Sequence, residues 1–145
     1  MKKIIMTLAI ALSSMAAFAG EEDVDRKVLN AFKTDFSTAN HVEWASGNNY
    51  YRASFIYNNK HVFAYYNTDG DLLGLTRYIS SMDLPLGLQT ELKKDYADYW
   101  ISDLFEVSKT EGTAYYITLE EADKQVVLKS TDSSGWEVYK TIRKV

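Results

Sequence analysis

Two histidines, a few serines and one acidic turn are the residues of this chain whose types could do chemistry. No cysteine is present, which removes thiolate catalysis and thiolate metal ligation together. His41 and His61 are the two histidines, and neither stands in an H-x-x-H or H-E-x-x-H spacing. A zinc site needs three or four convergent His, Cys or carboxylate ligands; the sequence shows no such cluster, so no metal and no cofactor is expected. Both histidines read as ordinary strand or strand-edge residues. Ser54, Ser102, Ser108 and Ser130 lack the G-x-S-x-G setting that exposes a nucleophile. Asn67-Thr68-Asp69-Gly70-Asp71 begins like a calcium loop but lacks its later oxygen ligands and closing glutamate. Between two strand-like runs it reads as a tight turn, with Gly70 supplying the positive φ. Glu120-Glu121 and Glu21-Glu22-Asp23 could attract a basic partner, but a solvated hairpin and a frayed terminus explain them equally well. No catalytic residue is assigned, and no enzyme activity is expected.

The N-terminus speaks to compartment. Lys2 and Lys3 precede an apolar run from Ile4 through Ala17, and Ala17-Phe18-Ala19 is a small-x-small cleavage site. Residues 1–19 are therefore expected to be a signal peptide cut after Ala19, with a periplasmic or secreted product. The run is too short, with the wrong flanks, for a membrane span, and no thiol follows the cut to carry a lipid anchor. The leader takes two lysines with it and leaves 14 basic against 20 acidic residues. That balance argues against nucleic acid, whose counterions must be displaced by Lys and Arg. With no disulfide possible, stability must come from burial alone.

The elements follow from periodicity. Val28, Leu29, Ala31, Phe32, Phe36 and Ala39 have the i, i+3/i+4, i+7 spacing of an amphipathic helix. Val42 and Trp44 open a strand, and further strands are expected at 50–57, 61–67 and 72–79, separated by Asn-rich and Asp69-Gly70 turns. Pro85 precedes a second helix striped by Leu88, Leu92, Tyr96 and Tyr99. Strands are again expected at 104–107, 114–119, 125–130 and 136–142. The second half echoes the first. Thr68-Asp69 matches Thr131-Asp132 at an offset of 63, whereas the helices match best at 60, Phe32 falling on Leu92. Three extra residues between the second helix and its first strand would account for the difference. The expected fold is α+β: two tandem α-β-β-β-β repeats, about 26–80 and 84–145, form one antiparallel sheet with helices packed on one face. Both repeats are expected to share one core within a single domain over 20–145.

The pattern resembles the PepSY-like family, whose fold is that of the β-lactamase-inhibitor proteins (BLIP-like). The residues that carry the resemblance are Ala31-Phe32-Lys33-Thr34-Asp35-Phe36, Val42-Glu43-Trp44, Tyr51-Arg52-Ala53-Ser54-Phe55 and the Asn67–Leu73 hairpin. It spans essentially all of residues 25–145. The second half departs more, with Asp132-Ser133-Ser134-Gly135 where the first has Asp69-Gly70-Asp71. The resemblance implies an eight-stranded sheet, helices on one face, no enzyme activity, and protein binding, inhibitory in some relatives, through the open sheet face.

The residues themselves point to the same face. The chain has 11 Tyr and 3 Trp, and strand alternation divides them between two surfaces. Val126/Leu128 and Trp136/Val138 read as core, and so by the offset do Phe63/Tyr65 and Leu73/Leu75, with Tyr51/Ala53/Phe55 and Tyr115/Ile117/Leu119. The opposite surface then carries Tyr50, Arg52, Tyr66, Tyr78, Tyr116 and Tyr139, the candidate partner-binding face. Tyr and Arg anchor protein interfaces because they offer large contact area and a polar tip at low entropy cost, although strands also favour tyrosine for its own sake. The expected partner is another envelope or extracellular protein or peptide, inhibition being one form such binding can take. The alternative is a small ligand or envelope glycan on the same aromatic surface.

Overall fold

Asp25 starts the first helix by accepting a hydrogen bond from the Lys27 backbone N–H at 2.9 Å, which satisfies one of the donors a helix start leaves orphaned. The helix, α1 (Arg26–Asp35), buries Val28 and Phe32, one turn apart. It ends where the Phe36 N–H donates to Phe32 O at 2.8 Å, and the Ala39 N–H then donates to Phe36 O at 3.1 Å. The structure, a computed structural model, describes residues 17–144, so the positive and apolar runs of the expected leader lie outside the described residues. The chain divides into two compact units, one ending at Thr76 and the other beginning at Arg77.

In the first unit, α1 is followed by β2 (Asn40–Gly47), β3 (Tyr50–Tyr57), β4 (Lys60–Asn67) and β5 (Leu72–Tyr78), the last crossing the unit boundary. Neighbours pair antiparallel in chain order. Asn49, Asn58 and Asn59 take the positive φ that their turns require. Trp44, Ala53, Phe55, Ala64 and Tyr66 pack against Val28, Phe32 and Phe36. Ala17–Ala19 form a further short strand, β1, on β2, where no strand was expected because these residues read as the end of the leader.

The face of β4 is the reverse of the expected one. Phe63 and Tyr65 were to face the helix; Ala64 and Tyr66 do so instead. Phe55 lies opposite Val62 and Ala53 opposite Ala64, so core residues on β3 place Val62, Ala64 and Tyr66 on the helix side. The offset of 63 taken from the Thr68-Asp69 turn does not hold within the strand: core residue Ala64 corresponds to core residue Leu128, 64 positions on, so one residue fewer separates the core from the turn in the second unit. A one-residue shift moves every side chain to the other surface.

In the second unit, Ser80 and Asp83 form a reciprocal cap and α2 (Leu86–Asp95) follows Pro85, burying Leu88 and Leu92. The Tyr96 N–H donates to Leu92 O at 2.9 Å and the Tyr99 N–H to Tyr96 O at 3.1 Å. Then come β6 (Trp100–Lys109), β7 (Gly112–Glu120), β8 (Lys124–Ser130) and β9 (Glu137–Arg143), antiparallel in chain order. Leu104, Ile117, Leu119, Val126 and Leu128 complete this core with the helix. Trp136 ties the approach to β9 onto α2: its indole N–H donates to Leu88 O at 3.1 Å, and its backbone N–H to the Glu91 carboxylate. Val138, expected in the core, sits opposite Leu128 but is 62% exposed, because all of β9 is exposed.

Two further expectations change. Residues 36–39 join α1 to β2 and residues 96–99 join α2 to β6, so the links are equally long. The extra residues lie instead in the β6–β7 hairpin, whose strands have 10 and 9 residues against 8 and 8 in β2 and β3. And where one shared core was expected, the buried apolar residues described form two clusters, one in each unit.

Candidate binding face

In the second unit Leu104, Ile117 and Leu128 point to α2, so alternation turns their neighbours Phe105, Tyr116 and Lys129 to the opposite surface. Phe105 lies directly across from Tyr116, and Tyr116 from Lys129. The Phe105 and Tyr116 rings stack at 5.3 Å and 13°. Tyr78 stands edge-on to Phe105 at 6.5 Å and 83°, and Tyr139 edge-on to Tyr116 at 5.7 Å and 87°. The Lys129 ammonium caps the row, 5.4 Å from the centre of the Tyr139 ring, within cation–π range. Tyr78 is 65% exposed and Tyr139 43%. Burial, and secondarily the neighbouring Tyr139, raise the Tyr116 hydroxyl above its ordinary pKa, so it is a neutral hydrogen-bond donor.

Three of the six predicted residues, Tyr78, Tyr116 and Tyr139, thus form one row, which Phe105 and Lys129 complete. Phe105 was missed because the offset of 63 paired it with Val42 and gave Trp44 to Val107. Across the strand pairs, Trp44 opposes Ala53 and Leu104 opposes Ile117, so Leu104 fills the core position and Phe105 faces out.

The other three predicted residues belong to the first unit and behave differently. Tyr66 is not on the open surface. It is fully buried against α1, and its hydroxyl donates to Asp35 Oδ2 at 2.9 Å. Burial first, then the Asp35 carboxylate, push that hydroxyl far above its ordinary pKa. Tyr50 is on the surface away from α1 but only 7% exposed. Its ring lies across Gly47, in the space a Cβ there would occupy, and beside Tyr65 at 5.9 Å. Arg52, half-buried, places its guanidinium 5.4 Å from the centre of the Phe63 ring and lies directly across the strand pair from Tyr65. Tyr65 is itself 1% exposed. The tyrosines of this face are covered by one another and by arginine.

One pair of reactive types does meet that the sequence reading kept apart. Ser54 Oγ and His61 Nε2 are 2.6 Å apart, brought together across the β3–β4 hairpin, and the imidazole stacks on Phe63 at 4.9 Å and 23°. An activated serine also needs an acceptor orienting the second ring nitrogen, and among the described residues no carboxylate bonds it. His41 takes φ 54° within the irregular stretch of β2 between Asn40 and Glu43. In the acidic turn, Asn67 Oδ1 accepts from the backbone N–H groups of Asp69 at 3.0 Å and Asp71 at 2.9 Å. Its oxygen is thereby directed at the chain's own amides, and Gly70 takes φ +88°. On the far hairpin, Glu120 accepts from Lys144, Gln125 and Ser102. These three donors, Lys144 foremost, hold its carboxyl down at about 2.

Neither a protein-family model nor a curated protein matches the sequence. Solved structures do match. A DUF2874 family protein from Bacteroides ovatus ATCC 8483 superposes with a TM-score of 0.73 at 20% identity, over 83% of this chain and 87% of that one. A BLIP-like protein from Bacteroides fragilis NCTC 9343 gives 0.70 at 17% identity, over 83% and 86%. The fold is BLIP-like. A third match, put forward as a periplasmic protein and from Bacteroides eggerthii DSM 20697, gives 0.72 at 16% identity, over 83% and 88%. Identity this low carries the BLIP-like architecture and no function. Among the described residues, no helix is long and apolar enough to cross a membrane.

Proposed function

We propose that this chain is an exported, non-enzymatic binding module of the PepSY-like group, made of two repeats, that grips a protein or peptide with the aromatic row of its second unit. The repeat reading rests on matched backbone bonds. Asp23 to Gly20, Leu29 to Asp25, Phe36 to Phe32 and Ala39 to Phe36 recur sixty positions on as Asp83 to Ser80, Gln89 to Pro85, Tyr96 to Leu92 and Tyr99 to Tyr96. Export is supported by the charged and apolar leader with its Ala17-Phe18-Ala19 site, and by the periplasmic description given to one structural relative.

The observation that carries the binding reading is the exposure of Tyr78 (65%) and Tyr139 (43%) at the two ends of a stacked Phe105–Tyr116 pair. Aromatic side chains already fixed by their neighbours give up little entropy when a partner covers them. The edge-on rings stand up from the stacked pair, giving ridges that suit the relief of a protein surface better than the flat face of a sugar or a planar ligand. The test is capture from envelope extracts on immobilised residues 20–145, in parallel with a Tyr78→Ser/Tyr139→Ser variant of unchanged melting temperature. A protein held by the native face and lost by the variant supports the reading. Equal recovery on both, or none on well-folded bait, overturns it.

A further inference from the structure

Each unit has a cleft between its helix and the strand that follows. In the first unit it measures 260 Å³ and is lined by Glu21, Phe32, Lys33, Phe36 and Trp44, among others. In the second it measures 190 Å³, with Ser81, Gln89, Lys93, Tyr96, Tyr99 and Leu119 in its wall. The same turn geometry builds both, through the bonds Phe36 to Phe32 and Ala39 to Phe36 in one and Tyr96 to Leu92 and Tyr99 to Tyr96 in the other. Lysine occurs at the same step of both helices, Lys33 and Lys93.

The mouths differ in one respect. In the first unit Lys33 Nζ lies 3.9 Å from Glu21 Oε1, so the chain brings its own carboxylate to the lysine. Sixty positions after Glu21 stands Ser81, which has no charge to offer, and among the described residues no carboxylate pairs with Lys93. Beneath that lysine the wall is mainly apolar and aromatic: Leu92 and Leu119 are buried, and Tyr96 and Tyr99 meet edge-on at 5.4 Å. Gln89, also in the wall, donates its side-chain N–H to Leu84 O at 2.8 Å; Lys93 is the cation of this wall, with the Ser81, Tyr96 and Tyr99 hydroxyls as its neutral polar groups.

We propose that the cleft of the second unit binds a small monocarboxylate with a short apolar body, whose carboxylate takes beside Lys93 the place that Glu21 takes beside Lys33. The volume limits the ligand: pockets for drug-sized molecules run from about 300 Å³ upward, so a body of roughly six carbons is the natural probe. This site is separate from the aromatic row and stands or falls without it.

The experiment titrates the chain over residues 20–145 with hexanoate and follows backbone amide chemical shifts. Saturable shifts at Leu92, Tyr96 and Tyr99 are expected, with 1-hexanol binding at least tenfold more weakly. Lys93→Gln should weaken hexanoate about tenfold. Ser81→Glu should do the same by restoring the internal ion pair, with the melting temperature unchanged. The reciprocal change, Glu21→Ser, should open the first cleft and produce new hexanoate shifts at Phe32 and Phe36. The absence of saturable shifts, hexanol binding as well as hexanoate, undiminished binding by Ser81→Glu, or no new shifts in Glu21→Ser would each overturn the proposal.

Discussion

Replacing Tyr66 by alanine separates the two surfaces of the first unit's sheet. The ring is fully buried among Val28, Phe32, Trp44 and Ala64, and truncating a buried aromatic to alanine costs about 3–5 kcal/mol in lost burial and cavity. Its hydroxyl bonds Asp35; since Asp35 is exposed and regains water, that bond adds only about 0.5–1.5 kcal/mol. The sum, roughly 4–6 kcal/mol, is a large part of the ~5–15 kcal/mol that holds a domain together. Tyr139→Ala is the control. That ring is 43% exposed, and what it loses is an edge-on contact with Tyr116, about 1 kcal/mol. Urea unfolding followed by tryptophan fluorescence reads both, Trp44 being buried in the same core as Tyr66. With a slope of ~1–3 kcal/mol per molar, Tyr66→Ala should lower the midpoint by roughly 2 M and Tyr139→Ala by well under 1 M. A Tyr66→Ala protein within about 0.5 kcal/mol of the native one, or a Tyr139→Ala protein just as destabilised, would show that the faces have been assigned the wrong way round.

Gly70→Ala should destabilise by about 1–3 kcal/mol, because Gly70 takes φ +88° and a Cβ there would lie 2.9 Å from Lys27 O; a melting temperature unchanged in calorimetry would contradict this. Glu120 has its pKa depressed from 4.5 to about 2 by Lys144, Gln125 and Ser102. A depressed carboxyl stabilises the fold above its unfolded pKa, and this stabilisation is lost as pH falls through the folded one. Acid titration should therefore show weakening between about pH 4.5 and 2 that Glu120→Gln removes, and a variant whose profile still overlays the native one would count against the network. Trp136→Phe deletes the indole bond to Leu88 O and should cost about 1 kcal/mol beyond the change in packing, measured by urea unfolding; a cost no larger than that of Trp100→Phe, at an indole 61% exposed, would mean that this bond does not fasten the approach to β9.

The element order was legible because period and punctuation agree. Val28 and Phe32 mark one face of a helix, Pro85 opens the next, and the Asn-rich turns break the strands near where they do end. Surface assignment was less legible, for a specific physical reason. Strand pairs carry their own parity, fixed by hairpin length and by bulges. The longer β6–β7 hairpin and the shorter run from Leu128 to the Thr131-Asp132 turn leave no mark that composition reveals. An offset read from the Thr68-Asp69 turn therefore transferred to β4 and β6 with the wrong parity, sending Tyr66 outward and Phe105 inward. Tyr116 came out on the open surface because β7 and β8 pair without a slip, whereas Tyr139 is the residue that the β8–β9 pairing passes over between Val127 and Leu128. Contacts closed by folding, Ser54 with His61 or Trp136 with Leu88 O, have no sequence signal beyond the residue types themselves.

Under the proposed repeat, the difference between a closed and an open aromatic surface comes down to a few positions. Core residues Ala53 and Ile117 correspond, as do Ala64 and Leu128, both at an offset of 64. At that offset Tyr50 falls on Ala114, Arg52 on Tyr116 and Tyr65 on Lys129. Arg52 faces Tyr65 across its strand pair, and Tyr116 faces Lys129 across the other. Each unit thus sets a cation against a ring, with the two types exchanged between strands. In the first unit Tyr50 folds over Gly47 and lies beside Tyr65, so the surface is sealed by the chain's own side chains. In the second, alanine stands in the place of that tyrosine, and the rings of Tyr78 and Tyr139 keep their exposure. Ala114→Tyr should therefore begin to seal the second surface as Tyr50 seals the first. The accessibility of Tyr139 to a tyrosine-iodinating reagent should fall in that variant, and unchanged labelling would mean that the cover depends on Gly47 as much as on Tyr50.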